Sequence, residues 1–156
     1  MSEHTVTLTW KLTGDSFNYD DYSRRHSVIF NGENSICASA APEYNGDPSC
    51  VDPEQAFVSS LASCHMLTFL AIASKRKFVV TAYKDDASGE LGKNQANKTA
   101  ISKVILSPVV TFRNGHAPDQ ELFDRMMDQA HRGCFIANSV ASCVKVDIKA
   151  KMELTN

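Results

Sequence analysis

Hydrophobic and polar residues alternate with a period of two over residues 4–12 (HTVTLTWKL), where threonines interleave with Val6, Leu8 and Trp10. That pattern predicts a half-buried strand. Residues 27–31 (SVIFN) and 35–40 (SICASA) flank Gly32 and predict a hairpin. Residues 41–53 carry Pro42, Pro48, Pro53 and Gly46 among acidic residues, the composition of a loop. Asp52-Pro53-Glu54 then reads as a helix start: Asp52 as N-cap, proline in the first helical position, a carboxylate at the positive end of the dipole. The helix is expected to run to about Lys77, where Lys75, Arg76 and Lys77 suit its negative end.

Strands are predicted over residues 78–91 and 100–113, separated by the polar stretch 92–98, with Pro108 arguing for an edge or bulge in the second. Leu122, Phe123, Met126, Met127 and Ala130 recur at helical spacing in residues 119–133. Residues 143–154 (CVKVDIKAKMEL) alternate cleanly and predict a half-buried antiparallel strand. The order is three strands, helix, two strands, helix, strand. This is an α+β chain, expected to form a single domain over residues 1–156.

One segment changes the picture if read by hydropathy alone. Residues 55–74 carry no formal charge and have the length of a membrane span. They also hold Ser59, Ser60, Ser63, His65 and Thr68, too polar for a face toward lipid, so a helix buried in protein on almost every side is expected. The 156 residues are 43% hydrophobic and 22% charged, enough to bury a core. Net charge is −2 and no basic run exceeds Lys75-Arg76-Lys77, which argues against a phosphate-neutralising nucleic-acid binder. The N-terminal residues lack the basic-then-apolar pattern of a secretory signal, so a cytoplasmic, reducing location is expected.

Five cysteines, an odd number, in a chain of this length argue against a disulfide framework. Cys37, Cys50 and Cys143 have no cation or partner pattern and are expected to be ordinary reduced residues. Cys64 lies inside the apolar helix, where burial alone would make it inert, so reactivity requires a cation from elsewhere in the chain. Cys134 follows His131-Arg132-Gly133 at a helix-to-loop junction, with Gly133 able to supply a left-handed cap. Cys64-His65 with His131 and Cys134 make up a zinc-like donor set, but adjacent helical residues point about 100° apart, and no bound metal is expected. A GxSxG elbow and GxGxxG or Walker phosphate loops are missing from the sequence.

Pro53-Glu54-Gln55-Ala56-Phe57 with Leu61-Ala62-Ser63-Cys64-His65 resembles the cysteine helix of the OsmC/Ohr family of osmotically inducible and organic hydroperoxide resistance proteins. Tyr22-Ser23-Arg24-Arg25-His26, Gly46-Asp47-Pro48 and Ala130-His131-Arg132-Gly133-Cys134-Phe135-Ile136 are similar to further family motifs, so the likeness covers most of the chain. The resemblance implies an intertwined homodimer, two curved antiparallel sheets wrapped around two central helices. It also implies a thiol-dependent peroxidase acting on organic hydroperoxides and more weakly on hydrogen peroxide. By motif, Cys64 is the peroxidatic cysteine, Cys134 the resolving one, and Glu54 holds the activating arginine, Arg24 or its neighbour Arg25. Phe57, Leu61, Met66, Leu67 and Phe135 are the expected pocket lining. No cofactor is implied beyond an external dithiol or lipoyl-type reductant, and neither nucleic acid nor membrane is an expected partner. An OsmC-fold ligand-binding or redox-sensing protein without robust turnover is the alternative.

Overall fold

The computed structural model describes residues 2–155 and divides into two compact units, Met1–Ala56 and Phe57–Asn156. In the first unit, strands β1 (Val6–Thr9), β2 (His26–Phe30) and β3 (Asn34–Ala38) form an antiparallel sheet in the order β1-β2-β3. The hairpin expected around Gly32 is there. Asn31 and Gly32 both adopt positive φ (43° and 79°) in the loop between paired Phe30 and Asn34. The first strand is shorter than its alternation predicts. Beyond Thr9 the Trp10 indole N–H donates to the Ser23 carbonyl at 2.7 Å instead of continuing the ladder.

After β3 the chain turns through residues 40–46, where a side chain at Gly46 would collide with the Ala40 carbonyl. It then returns beside β3: Ser39 N–H donates to Val51 C=O and Val51 N–H to Cys37 C=O, each at 3.0 Å. That return places Cys37 against Cys50, and the two form a disulfide with Cα atoms 5.0 Å apart. The expectation that both are ordinary reduced residues is therefore corrected. Thirteen positions separate them, and only the doubled-back loop brings them together. Closing a loop of that size restrains the unfolded chain by roughly 3 kcal/mol.

Helix α1 (Pro53–Lys75) starts as expected at Asp52, whose carboxylate accepts the Gln55 N–H at 2.7 Å while Gln55 Oε1 accepts the Asp52 N–H at 3.1 Å. It stops two residues early because Lys77 is left-handed (φ 63°) and Phe78 N–H closes onto the Ala73 carbonyl. Within the chain, α1 buries one stripe, Leu61, His65, Phe69 and Ala73, at four-residue spacing. Its other faces are half-buried or exposed within the single chain. α1 is also the helix long and apolar enough to cross a membrane by length and composition, with mean hydropathy 1.7.

In the second unit each long predicted strand is broken once. Residues 78–91 become β4 (Val80–Asp85) and β5 (Ser88–Lys93); 100–113 become β6 (Thr99–Leu106) and β7 (Pro108–Arg113); 143–154 become β8 (Lys145–Ile148) and β9 (Lys151–Thr155). The breaks are tied together: Ser107 N–H donates to Asp85 Oδ1 at 2.7 Å and Lys149 N–H to Leu106 C=O at 2.8 Å. Each chain segment thus passes from one sheet to another, giving three-stranded sheets β4-β7-β9 and β5-β6-β8. The last segment pairs parallel to β6 and β7, so the sheets are mixed, where the sequence pattern predicted antiparallel pairing. A parallel return needs a long crossover, and α2 (Gln120–Gly133) with α3 (Phe135–Val140) supplies it.

Two core clusters form. Phe69, Val110, Phe112, Phe123 and Met126 make one; Leu61, Val104, Leu106 and Val144 make the other. α1 contributes to both, which fixes its rotation. Replacing fully buried Phe69 by alanine should cost about 3–5 kcal/mol, measured by urea denaturation.

Candidate active site

Cys64 lies half-buried on α1, next to the buried stripe rather than on it. One turn on, the Thr68 hydroxyl donates to the Cys64 carbonyl at 2.8 Å. Across from it, α2 ends at Gly133, and a Cβ there would sit 3.2 Å from Thr68 Cγ2. The absence of a side chain therefore lets the α2–α3 junction approach α1. Gly133 is not left-handed, contrary to the cap geometry expected of it; close approach is its use. Cys134 occupies the junction, ending α2 and capping α3, with its Sγ accepting the Ala137 N–H at 3.4 Å.

The two thiols influence one another, and their pKa values move in opposite directions. For Cys64, burial pushes the pKa up. The Cys134 thiol, the backbone N–H groups of Ile136 and Phe135, and Thr68 together outweigh that and hold it below the ordinary thiol value. For Cys134, burial and the Cys64 sulfur push the pKa up to about 11. The lowered thiol is Cys64 and the raised one Cys134. The sequence pointed to a distant cation for activation, whereas in this unit neutral donors already lower the Cys64 pKa.

His65 points the other way, fully buried, with Nδ1 3.3 Å from the Tyr83 hydroxyl. Burial, with the neighbouring His131, holds it below the ordinary imidazole range. Among the described residues no three His, Cys, Asp or Glu side chains converge as a metal-ligand set.

Arg24 and Glu54 belong to the first unit. The Arg24 guanidinium donates to the carbonyls of Tyr22 and Tyr19 and stacks over both phenol rings, 3.9 and 4.8 Å from their centroids. Arg25 instead pairs with Asp47 at 2.7 Å. No Arg24–Glu54 ion pair occurs among the described residues. Arg24 borders a largely apolar cavity of about 500 Å³ lined by Leu8, Trp10, Phe17, Tyr22 and His26. Of the expected lining residues, Leu61 is fully buried in the core and Phe57 packs against it, so Leu61 is corrected to a structural residue. Met66 is half-buried, while Leu67 and Phe135 are exposed, at 60% and 80%. Thr68, Ile136 and the Trp10–Phe17–Tyr22 ring cluster had not been anticipated. Thr68 carried a signal in its i+4 spacing from Cys64.

The family model for OsmC-like proteins matches residues 46–149, a span that contains both thiols. The chain belongs to the OsmC-like family. Its structure is similar to that of an OsmC-like protein of unknown function from Vibrio cholerae, at 43% identity and TM-score 0.90, covering 96% of this chain and 99% of that one. An organic hydroperoxide resistance protein OsmC from Legionella pneumophila shares the fold at 17% identity (TM-score 0.70; 97% and 99% covered). So does the organic hydroperoxide resistance protein OhrB of Bacillus subtilis, at 18% identity (TM-score 0.57; 97% and 98% covered). Among curated proteins no match is found.

In this OsmC-like chain, alkylation of Cys64 by iodoacetamide should reach half its maximal rate at a pH below the ordinary thiol value. Cys134→Ala removes the largest lowering interaction, so the midpoint should move upward, and Thr68→Val should shift it in the same direction by less. Mass mapping of alkylated peptides against pH measures both.

Proposed function

We propose that this protein is a thiol-dependent peroxidase that reduces organic hydroperoxides, and more weakly hydrogen peroxide. The observation that carries the reading is the thiol pair: a Cys64 of lowered pKa beside a Cys134 of raised pKa. The Cys64 thiolate attacks the distal oxygen of ROOH, the O–O bond breaks to give a sulfenic acid, and the departing alkoxide takes a proton from solvent and leaves as ROH. Cys134 then condenses with the sulfenic acid, releasing water and forming a disulfide. An external dithiol reopens it by exchange, supplying both electrons. No resident cofactor is required by this cycle.

The family resemblance assigns Arg24 and Glu54 as further activating groups. The similarity in fold to proteins named for organic hydroperoxide resistance supports the same reading. The protein is further proposed to work in the cytoplasm as a homodimer. Exposed Leu67 and Phe135 in one unit and Val6, Leu8 and Leu12 in the other are apolar surface that a second copy would cover.

Cumene hydroperoxide consumption with dithiothreitol tests the mechanism. Wild type should turn over, Cys64→Ser should fall to the uncatalysed rate, and Cys134→Ser should lose activity progressively as Cys64 overoxidises. Equal rates in all three would refute the cycle and favour a ligand-binding module. Sedimentation at micromolar concentration should give twice the 17.1 kDa chain mass.

A further inference from the structure

We propose that Cys37 and Cys50 form a second redox centre, a disulfide opened by a dithiol and re-formed by a hydroperoxide, which controls the order of the loop leading into α1. This goes beyond the peroxidase reading and uses none of its residues chemically. The two cysteine pairs stand in different states: Cys64 and Cys134 are thiols while Cys37 and Cys50 are joined. Disulfides of proteins in reducing compartments are usually transient, catalytic or sensing rather than permanent staples.

The placement favours exchange. Cys37 lies on β3, the edge strand of its sheet, and is exposed, whereas Cys50 is buried. An incoming thiolate therefore meets the Cys37 sulfur and Cys50 departs as the leaving thiolate. In full, a dithiol and the disulfide give two protein thiols and an oxidised, disulfide-bonded reductant. In reverse, one protein thiol takes an oxygen atom from ROOH to give ROH and a sulfenic acid, and the second displaces it as water.

What the bond holds is a short segment with few other attachments. Residues 46–51 are tied to β3 by the Ser39–Val51 and Val51–Cys37 backbone bonds and by Asp47 N–H donating to Ser39 Oγ at 3.0 Å. Asp47 also accepts from Ser49 and pairs with Arg25, the neighbour of Arg24. Asp52, two residues beyond Cys50, caps the helix on which Glu54 stands. Opening the disulfide frees the middle of a segment that holds Arg25 at one end and begins α1 at the other.

The test uses the full chain carrying Cys64→Ser, so that presence or absence of peroxidase turnover has no bearing on it. The protein is incubated natively with excess dithiothreitol and freed of it by gel filtration; one portion is trapped with N-ethylmaleimide for peptide mass mapping, and the other is left unalkylated for hydrogen exchange and re-oxidation. Expected are labelling of both Cys37 and Cys50, exchange in residues 38–52 faster by about tenfold or more with α2 unchanged, and restoration of bond and protection by stoichiometric cumene hydroperoxide. The proposal is overturned if the pair stays unlabelled in the native state. It is equally overturned if labelling leaves the exchange of residues 38–52 unaltered, if protection is lost across α2 as well, or if hydroperoxide does not restore the bond.

Discussion

A thiolate in a half-buried position is unfavourable unless hydrogen-bond donors replace water, and that constraint organises the second unit. Cys64 meets its donors from a junction about 70 residues away in sequence, where α2 ends and α3 begins. Two backbone N–H groups and a thiol lower the pKa of one sulfur. That requires the junction to press against α1, and Gly133 against Thr68 is the contact that permits it. The same closeness raises the Cys134 pKa, because a second negative sulfur beside the first is disfavoured. One arrangement therefore lowers one thiol's pKa and raises the other's.

The rest of the unit holds that arrangement still. Leu61 anchors α1 in one core cluster and Phe69 in the other, on either side of Cys64 along the helix. His65 is drawn inward to Tyr83, which leaves the adjacent Cys64 facing the α2–α3 junction. Bending all three long strand segments at tied positions produces two small sheets, each supplying wall to one of the clusters. Phe112 and Phe123 meet edge to face with Phe69, a packing in which rotation of α1 would break several contacts together.

The first unit solves a different problem. Its sheet has only three short strands, and its loop returns along an edge with few backbone bonds. A covalent link contributes where hydrophobic burial is thin, since most of the strand residues are exposed or half-buried. The long-standing rule that an odd cysteine count argues against disulfides fails here because the cysteines serve separate purposes. One pair is a bond, one pair is two neighbouring free thiols of shifted pKa, and Cys143 is left over.

The local chemistry of the chain was legible without coordinates. The Asn31-Gly32 hairpin, the Asp52 cap, the amphipathic spacing of α2 and the two cysteine motifs all depend on residues within a few positions of one another, so short-range sterics and hydrogen bonding determine them. The strand breaks at Asp86, Ser107 and Lys149, the parallel pairing of β8 and β9, the Cys37–Cys50 bond and the donors around Cys64 were decided only by tertiary structure. Each joins groups distant in sequence, and alternation of polar and apolar residues says which face of a strand is buried, not which strand lies beside it. A thiol's pKa likewise depends on what approaches the sulfur in space. The sequence by itself named Cys64 and Cys134; the fold decided what surrounds each sulfur, and so the direction in which each pKa moves.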